Sequence, residues 1–394
     1  MRKIPIVGRE LLMGKENIRK IVIDARLYGL EHAGPGRYVK NLVDTLGKID
    51  KSNEYHILLR KKYYESVTFP DNFYKVLADY PHYTFLEQIK LPFLINKFQP
   101  DLVHFPFFNT PLLYFGKFIV TIHDLTMHRF TGGTATTRSF VKNLIWRLGY
   151  HIAFANAVYR AKMILVPSEH VKKDITDFYK INAKKIIVTY EGVAESLMKN
   201  ATYDVLKKYK IRDKYFIYSG SAYPHKNLGN AITAIKLLNQ KIKERVIFVI
   251  TSPRGVFADR LLIQIKKLKA QEYVKYIGFL SDSELGNLIK YSLAFLYPTK
   301  SEGFGLPGLE AMQVGTLVLS SDITVLREVY QENAIYFDPN DPVSMSIAMQ
   351  DVMEIGSAIR AGKISKAFKF AQKYSWEKTA RQTVEVYLSL FGDR

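Results

Sequence analysis

From Ile18 almost to its end, the chain alternates short runs that are apolar on both faces with longer stretches whose apolar residues recur at helical spacing. IRKIVIDAR, YHILLR, DLVHF, KFIVTI and AKMILV are strand candidates of a first group, with helices expected near Arg37–Leu46, Phe85–Phe98, Thr137–Tyr159 and Glu169–Tyr179. YFIYSG, RVIFVI, YVKYIGF, LAFLYP and GTLVLS form a second group, again with helices between them. A strand without a polar face must be covered on both sides, and an intervening helix returns the chain to start the next strand in parallel. The pattern therefore predicts an α/β chain with two facing, doubly wound parallel sheets and a cleft between them. At 394 residues, 47% hydrophobic, the chain holds more than one core accommodates.

The division between the two units is expected near Asn200, in the polar stretch after KKIIVTY and EGVAES. This gives a first domain over 18–199, a second over 200–373, and a terminal helix over 374–394 that packs back toward the first. On that helix Trp376, Ala380, Val384, Tyr387 and Leu388 share one face. Residues 1–17 have no assignable role. Open sheets of this kind bind ligands beyond the carboxyl ends of their strands, so both sets of strand ends are expected to line the cleft.

No apolar run reaches the roughly 18 residues of a membrane-spanning helix, and the basic start lacks the apolar block of a secretory signal, so a cytoplasmic location is expected. The absence of cysteine excludes disulfides and thiolate metal sites. The formal charge is +20, with 30 Lys and Arg against 18 Asp and Glu in residues 1–200 and 27 against 19 in the rest. Nucleic acid, anionic lipid, a phosphorylated small molecule and a generally Lys-rich composition all fit such a charge. No basic run interleaved with aromatics forms a recognisable nucleic-acid module, and no nucleic-acid partner is expected.

Four stretches carry candidate chemistry. SEGFGLPGLEAM (Ser301–Met312) follows LAFLYP and leads into a helix expected from Pro307. Its glycines let backbone N–H groups approach a ligand, while Glu302 and Glu310 have the chemistry to accept hydrogen bonds from sugar hydroxyls. A packing turn fits the same residues. YFIYSGSAYPHKN places Lys226 just before a helix, where an ammonium beside a helix N-terminus suits a diphosphate or stands simply in solvent. EHAGPGRYVKNL puts Gly34 and Gly36 in a turn opening a helix, without the third glycine of a dinucleotide fingerprint. In FIVTIHDLT, His123 ends an apolar strand and points either to the cleft or into the core. No D-x-D and no H-x-x-x-H occurs, so metal and cofactor are both expected to be absent.

Taken in order, GPGRYVKNL, TIHDL, LVPSEHVKKDI, SGSAYPHKN, SEGFGLPGLEAM and YSWEKTARQTVEVY resemble a retaining glycosyltransferase of family 4, over nearly the whole chain from Ile18. The resemblance implies the GT-B fold, two facing Rossmann-like domains. It implies that Glu310 holds the nucleotide ribose, that Glu302 and the backbone of Gly303, Phe304, Gly305 and Leu306 hold the donor sugar, and that Lys226 holds the diphosphate. Gly36 would approach the phosphates from the first domain, and His123 would lie near the anomeric carbon. Catalytic roles fall to His123, Glu302 and Lys226. The chain departs from the family where Ser221 and His225 stand in a loop that carries Arg or another basic residue in many members.

The activity so implied is transfer of a hexose from a nucleotide sugar to a saccharide or lipid-linked saccharide, with GDP-mannose favoured over a UDP-hexose. A nucleotide-sugar 2-epimerase of the same fold is the rival enzyme. An anionic membrane surface is a further expected partner, because RSFVKNLIWRLGYHIAFANAVYRAK mixes Arg138, Lys142, Arg147 and Arg160 with Phe140, Trp146, Tyr150 and Phe154. A core helix with a solvated basic face has the same pattern.

Overall fold

The computed structural model describes residues 18–29, 33–130, 140–193 and 204–391. The first half builds a seven-stranded sheet from β1 (Lys20–Asp24), β2 (Glu54–Leu59), β3 (Phe73–Leu77), β4 (Leu102–Phe105), β5 (Phe118–Thr121), β6 (Ile164–Val166) and β7 (Ile186–Val188). The second builds a six-stranded sheet from β8 (Lys214–Ser219), β9 (Val246–Thr251), β10 (Val274–Tyr276), β11 (Ala294–Tyr297), β12 (Val318–Ser321) and β13 (Ile335–Phe337). The orders are β3-β2-β1-β4-β5-β6-β7 and β10-β9-β8-β11-β12-β13. Adjacent strands run parallel throughout, with registers such as Ile21↔Leu102 for β1 and β4 and Phe216↔Ala294 for β8 and β11. These are the two doubly wound sheets that the apolar runs predict, and β7 is the run KKIIVTY.

Two strands escape the sequence pattern. β3 is an edge strand buried at Phe73 and Val76 and exposed at Tyr74, Lys75 and Leu77, and β13 is a three-residue edge. Edge strands have one free side and lack the continuous apolar run of a central parallel strand.

The helices that position the cleft are α1 (Ala33–Ile49), α2 (Phe85–Asn96), α3 (Phe140–Arg160), α4 (Glu169–Tyr179), α5 (Leu228–Lys241), α6 (Asp282–Lys290), α7 (Leu306–Val314), α8 (Thr324–Tyr330) and α9 (Trp376–Ser389). In the first half, α2 and α3 cover one face of the sheet through Leu91, Ile95, Tyr150 and Phe154. α1 covers the other face with α9, which adds Trp376, Ala380 and Tyr387 to that core. Leu388 departs from the expected face and is exposed; Thr379, Thr383 and Val386 are buried instead. Both threonines close hydrogen bonds to backbone carbonyls, Thr379 to Tyr190 and Thr383 to Thr379, which lets polar side chains enter the packed face. Residues 1–17, the boundary near Asn200 and Arg138 lie outside the described residues.

Strand order reverses beside β1 and β4 in the first sheet and beside β8 and β11 in the second. A crevice opens at the carboxyl end of a sheet where adjacent connections leave to opposite faces. The candidate stretches after β1, β8 and β11 emerge at these two reversals, and His123 follows β5, the neighbour of β4.

Candidate active site

The loops after β8 and β11 are joined before any ligand is considered. Lys300 N donates to the His225 carbonyl over 2.8 Å, and Thr299 Oγ1 donates to the same oxygen. Asn227, held in the left-handed region at φ 59°, donates its amide to the carbonyls of Pro298 and Pro339. This brings Lys226 Nζ to 2.5 Å from Glu302 Oε1, both side chains largely buried and 76 residues apart in sequence. The helix after the second loop begins at Leu306, one residue before the expected Pro307, with Gly305 at φ 100°. Tyr330 fixes that turn by donating its hydroxyl to the Gly305 carbonyl. Phe304 and Leu306 are buried in the core, which leaves their backbone rather than their side chains to face a ligand. Ser221 contributes its carbonyl to the Tyr218 hydroxyl at 2.8 Å.

Glu310 sits midway along α7, buried, and Arg37 reaches it from the opposite half. Arg37 Nη1 lies 2.5 Å from Glu310 Oε1, and Nη2 lies 2.9 Å from Asp282 Oδ1 on α6. One guanidinium thus joins two carboxylates across the cleft. Gly34 and Gly36 lie within α1, in its first turn, rather than in a turn that precedes it. Gly36 is buried, and a side chain at Gly34 would meet nothing within 4 Å.

His123 is held on its own side, with Nε2 3.1 Å from the Pro106 carbonyl and Nδ1 3.3 Å from Glu191 Oε1. Both partners are acceptors, so both bonds form together only on a doubly protonated ring. Its main chain faces the other half: a Cβ on Gly303 would stand 1.8 Å from the His123 carbonyl oxygen. Glycine at 303 is therefore what lets the two loops meet. Ser168 Oγ donates to the Gly303 carbonyl at 2.6 Å, and Thr126 and Ser301 share a hydroxyl contact at 3.1 Å. Farther along, Glu328 of α8 accepts the free amides of Glu169 and His170 at the start of α4, where a carboxylate also meets the positive end of the helix.

Two family models divide the chain between them: Glycosyltransferase Family 4 matches residues 33–197, and Glycosyl transferases group 1 matches residues 205–369. The chain belongs to the family 4 glycosyltransferases with the GT-B fold. Among curated proteins it is 29% identical over 231 residues to the O-antigen chain mannosyltransferase B of Escherichia coli, a match that spans 58% of this chain and 60% of that one. Among solved structures, sucrose-phosphate synthase from Thermosynechococcus elongatus superposes with a TM-score of 0.74 at 16% identity, over 95% of this chain and 99% of that one. The Anabaena protein HepE, solved in complex with UDP-glucose, superposes with a TM-score of 0.71 at 16% identity, over 94% and 100%. The two structural likenesses concern the fold.

The two carboxylates of this glycosyltransferase differ in electrostatics. Burial alone would raise the Glu302 carboxyl, but the adjacent Lys226 ammonium outweighs it and holds the group below the ordinary carboxylate range. At Glu310 burial prevails over the pull of Arg37, with Asp282 adding repulsion, and the carboxyl is pushed up. Burial and the Lys226 charge lower His225 to about 4, so at neutral pH it adds no charge to the loop. Arg37 is the cation that the reading of that loop lacks, and it arrives from the other half. Sequence reasoning saw it as an ordinary helix residue, because its partners lie 245 and 273 residues away. Glu191 and Asp282 were missed for the same reason. Among the described residues, no group of three His, Asp or Glu side chains could hold a metal ion.

Proposed function

We propose that the protein transfers a hexose from a nucleotide sugar to a saccharide or lipid-linked saccharide, with retention of configuration and without a metal. The observation that carries the reading is the convergence, at two reversal points of strand order, of Lys226 and Glu302 from one pair of loops with Glu310 and the facing Arg37. In this reading Glu310 accepts hydrogen bonds from the ribose diol. Lys226, Arg37 and the amides of Gly303 to Leu306 surround the diphosphate, and Glu302 orients the sugar. Ligand entry requires Arg37 to leave Glu310 and Lys226 to leave Glu302, which turns both cations from carboxylates toward phosphate. The relation to an O-antigen mannosyltransferase supports GDP-mannose as donor.

The bond between the anomeric carbon and the diphosphate oxygen breaks first, giving an oxocarbenium-like ion paired with the diphosphate. An acceptor hydroxyl adds on the face just vacated, and its proton passes to the departing diphosphate oxygen. Lys226 and Arg37 lower the barrier by stabilising negative charge that grows on the leaving group in a site shielded from water. A lipid-linked acceptor places the enzyme at the surface of a membrane; none of the described helices is long and apolar enough to cross one.

The test is a thermal-shift panel of GDP, UDP, ADP and their sugars, because a ligand that binds the native state raises its stability by RT ln(1 + [L]/Kd). Product analysis with a saccharide acceptor follows. GDP-mannose is expected to give the largest shift, and transfer is expected to survive EDTA. Donor consumption without an acceptor would instead identify an epimerase, and loss of transfer with EDTA, restored by Mg²⁺ or Mn²⁺, would overturn the metal-free chemistry.

A further inference from the structure

α2 and α3 are apolar on two faces, and the sheet buries one. α2 turns Leu91 and Ile95 inward and leaves Phe85, Ile89 and Phe93 outward, spaced four residues apart, with Phe85 89% and Phe93 70% exposed. α3 turns Tyr150 and Phe154 inward and leaves Leu144 and Leu148 outward, each more than 60% exposed. The aromatic residues that suggested a membrane helix in the sequence are therefore largely core: Trp146 is half-buried and stacks on Tyr150 at 5.5 Å. The outward residues form a different surface, which is aliphatic on α3 and aromatic on α2.

That surface is continuous. Leu112 N donates to Gln88 Oε1 of α2 over 2.7 Å, and Arg160 of α3 donates to the carbonyls of Leu112 and Tyr114 at 2.9 and 2.5 Å. The intervening loop adds Phe115, 80% exposed. The charge on it has one sign. Residues 110–117 and 140–162 contain no Asp or Glu, and the one acid of α2, Glu87, is buried against Arg26 and Asn109. Lys90 and Lys142 are exposed beside the apolar side chains. A contiguous apolar patch on a soluble fold marks an interaction site, and an apolar stripe beside cations matches the boundary between acyl chains and anionic headgroups.

We infer that this face of the first half docks on an anionic bilayer, with Phe85, Ile89, Phe93, Phe115, Leu144 and Leu148 in the interface and Lys90 and Lys142 at headgroup phosphates. Charge decides against a second copy of the chain: a twofold contact would set one cationic surface on another. Topology gives the docking its use. α2 and α3 follow β3 and β5 and run back toward the amino ends of the next strands, so their Phe85 and Leu144 ends lie at the carboxyl edge of the sheet, beside the cleft. A lipid-linked saccharide would reach the cleft while its lipid stays in the membrane. The inference deepens the lipid-linked-acceptor reading and rests on it for this purpose.

Vesicle flotation tests it on the full chain, with zwitterionic phosphatidylcholine vesicles and with vesicles that also contain phosphatidylglycerol. The expected result is flotation with the anionic vesicles, reduced by high salt and by the pair Lys90→Glu and Lys142→Glu. Each of Phe85→Ser, Phe93→Ser and Phe115→Ser should lower the partition coefficient by roughly tenfold or more. All of these residues are exposed and none is among the candidate site residues, so the nucleotide-induced thermal shift should persist. Failure to float at low salt overturns the docking, as does a dimer in light scattering that Phe93→Ser dissolves. Flotation without any nucleotide shift would leave the docking standing and refute the transferase reading instead.

Discussion

The two halves share a plan and differ in what their outer helices show to water. In the second half, large exposed apolar side chains are scattered in small groups: Val256, Leu262 and Ile263 lie on one helix, Val343 and Ile347 on another, and Phe279 and Ile359 each on a further segment. In the first half, those on α2, α3 and the loop at Phe115 join into one surface without an exposed acid. Scattered apolar side chains are ordinary on any soluble protein, and a joined face is not. Buried charge is divided differently as well. In the second half it gathers at strand ends facing the cleft, as Lys226, Glu302 and Glu310. In the first half, a fully buried Arg26 bonds Asp24 at 2.6 Å and Glu87 at 2.7 Å, with Asn109 closing on Glu87. That network ties α2, the helix with the outward phenylalanines, to the end of β1. Buried charge in one half faces the cleft, and in the other it ties a helix to the sheet.

The largest expected effect comes from breaking the second arrangement. Arg26→Ala leaves Asp24 and Glu87 buried without their cation, and loss of one partner from such a group costs about 3–5 kcal/mol. The chain has two tryptophans, and both report on the first half: Trp146 lies on α3, and Trp376 packs into the core that α1 and α9 share. Tryptophan-detected urea unfolding should shift by that amount. A shift below about 1 kcal/mol would mean that the network carries little of the stability of this half.

A smaller effect sharpens the contrast within the cleft. Glu310→Ala should weaken binding of the nucleoside diphosphate by about 1.5–3 kcal/mol, since it removes a charged acceptor for the ribose. Glu302→Ala should not weaken that affinity, because Lys226 then has no carboxylate to leave, while turnover of the intact donor falls. Calorimetric titration of the diphosphate and steady-state rates with the donor separate the two. Equal losses for both ligands in both variants would refute the assigned roles.

Much of the fold was legible because central parallel strands announce themselves: IVI in β1 and VIFVI in β9 are apolar on both faces and flanked by helical spacing. β3 and β13 were not, since an edge strand is half exposed. Of the candidate site, Lys226 and Glu302 could be read from their strand-to-helix turns, and the structure brings them into contact. Arg37 could not, because its meaning depends on how two separately folded sheets face each other. Glu191 followed β7 in plain view, yet its link to His123 is a tertiary fact. The aromatic helix misled in an instructive way. Tyr150 and Phe154 share the helix with Leu144 and Leu148, and mixed composition alone does not say which stripe faces the sheet; inside, Tyr150 meets Phe108 edge-on and Phe154 stacks on Tyr179, which a linear pattern does not show.

The smallest predicted effect concerns pH and again separates the halves. His104 of β4 is buried, with Nδ1 2.7 Å from the Tyr387 hydroxyl and Nε2 2.8 Å from Thr121 Oγ1. Both partners are hydroxyls, which give and accept, so a neutral ring satisfies both bonds, one nitrogen donating and the other accepting, and it is burial that disfavours the charged ring. Burial, with a smaller push from His123, lowers its pKa to about 3. A depressed histidine stabilises the fold fully above its unfolded value, about 6.5, and the contribution is lost as pH falls toward the folded value, because the unfolded chain takes up the proton first. Between pH 7.5 and 5.5 this one ring should remove about 1.4 kcal/mol from the stability of the first half. Tryptophan-detected urea melts at the two pH values measure the change, and the same pair of melts on His104→Gln isolates the ring, since glutamine does not titrate. His128, lowered to about 4 by burial, contributes equally to wild type and variant and cancels in the difference. A variant whose stability falls with pH as steeply as wild type would show that His104 does not hold α9 to the sheet through a neutral ring.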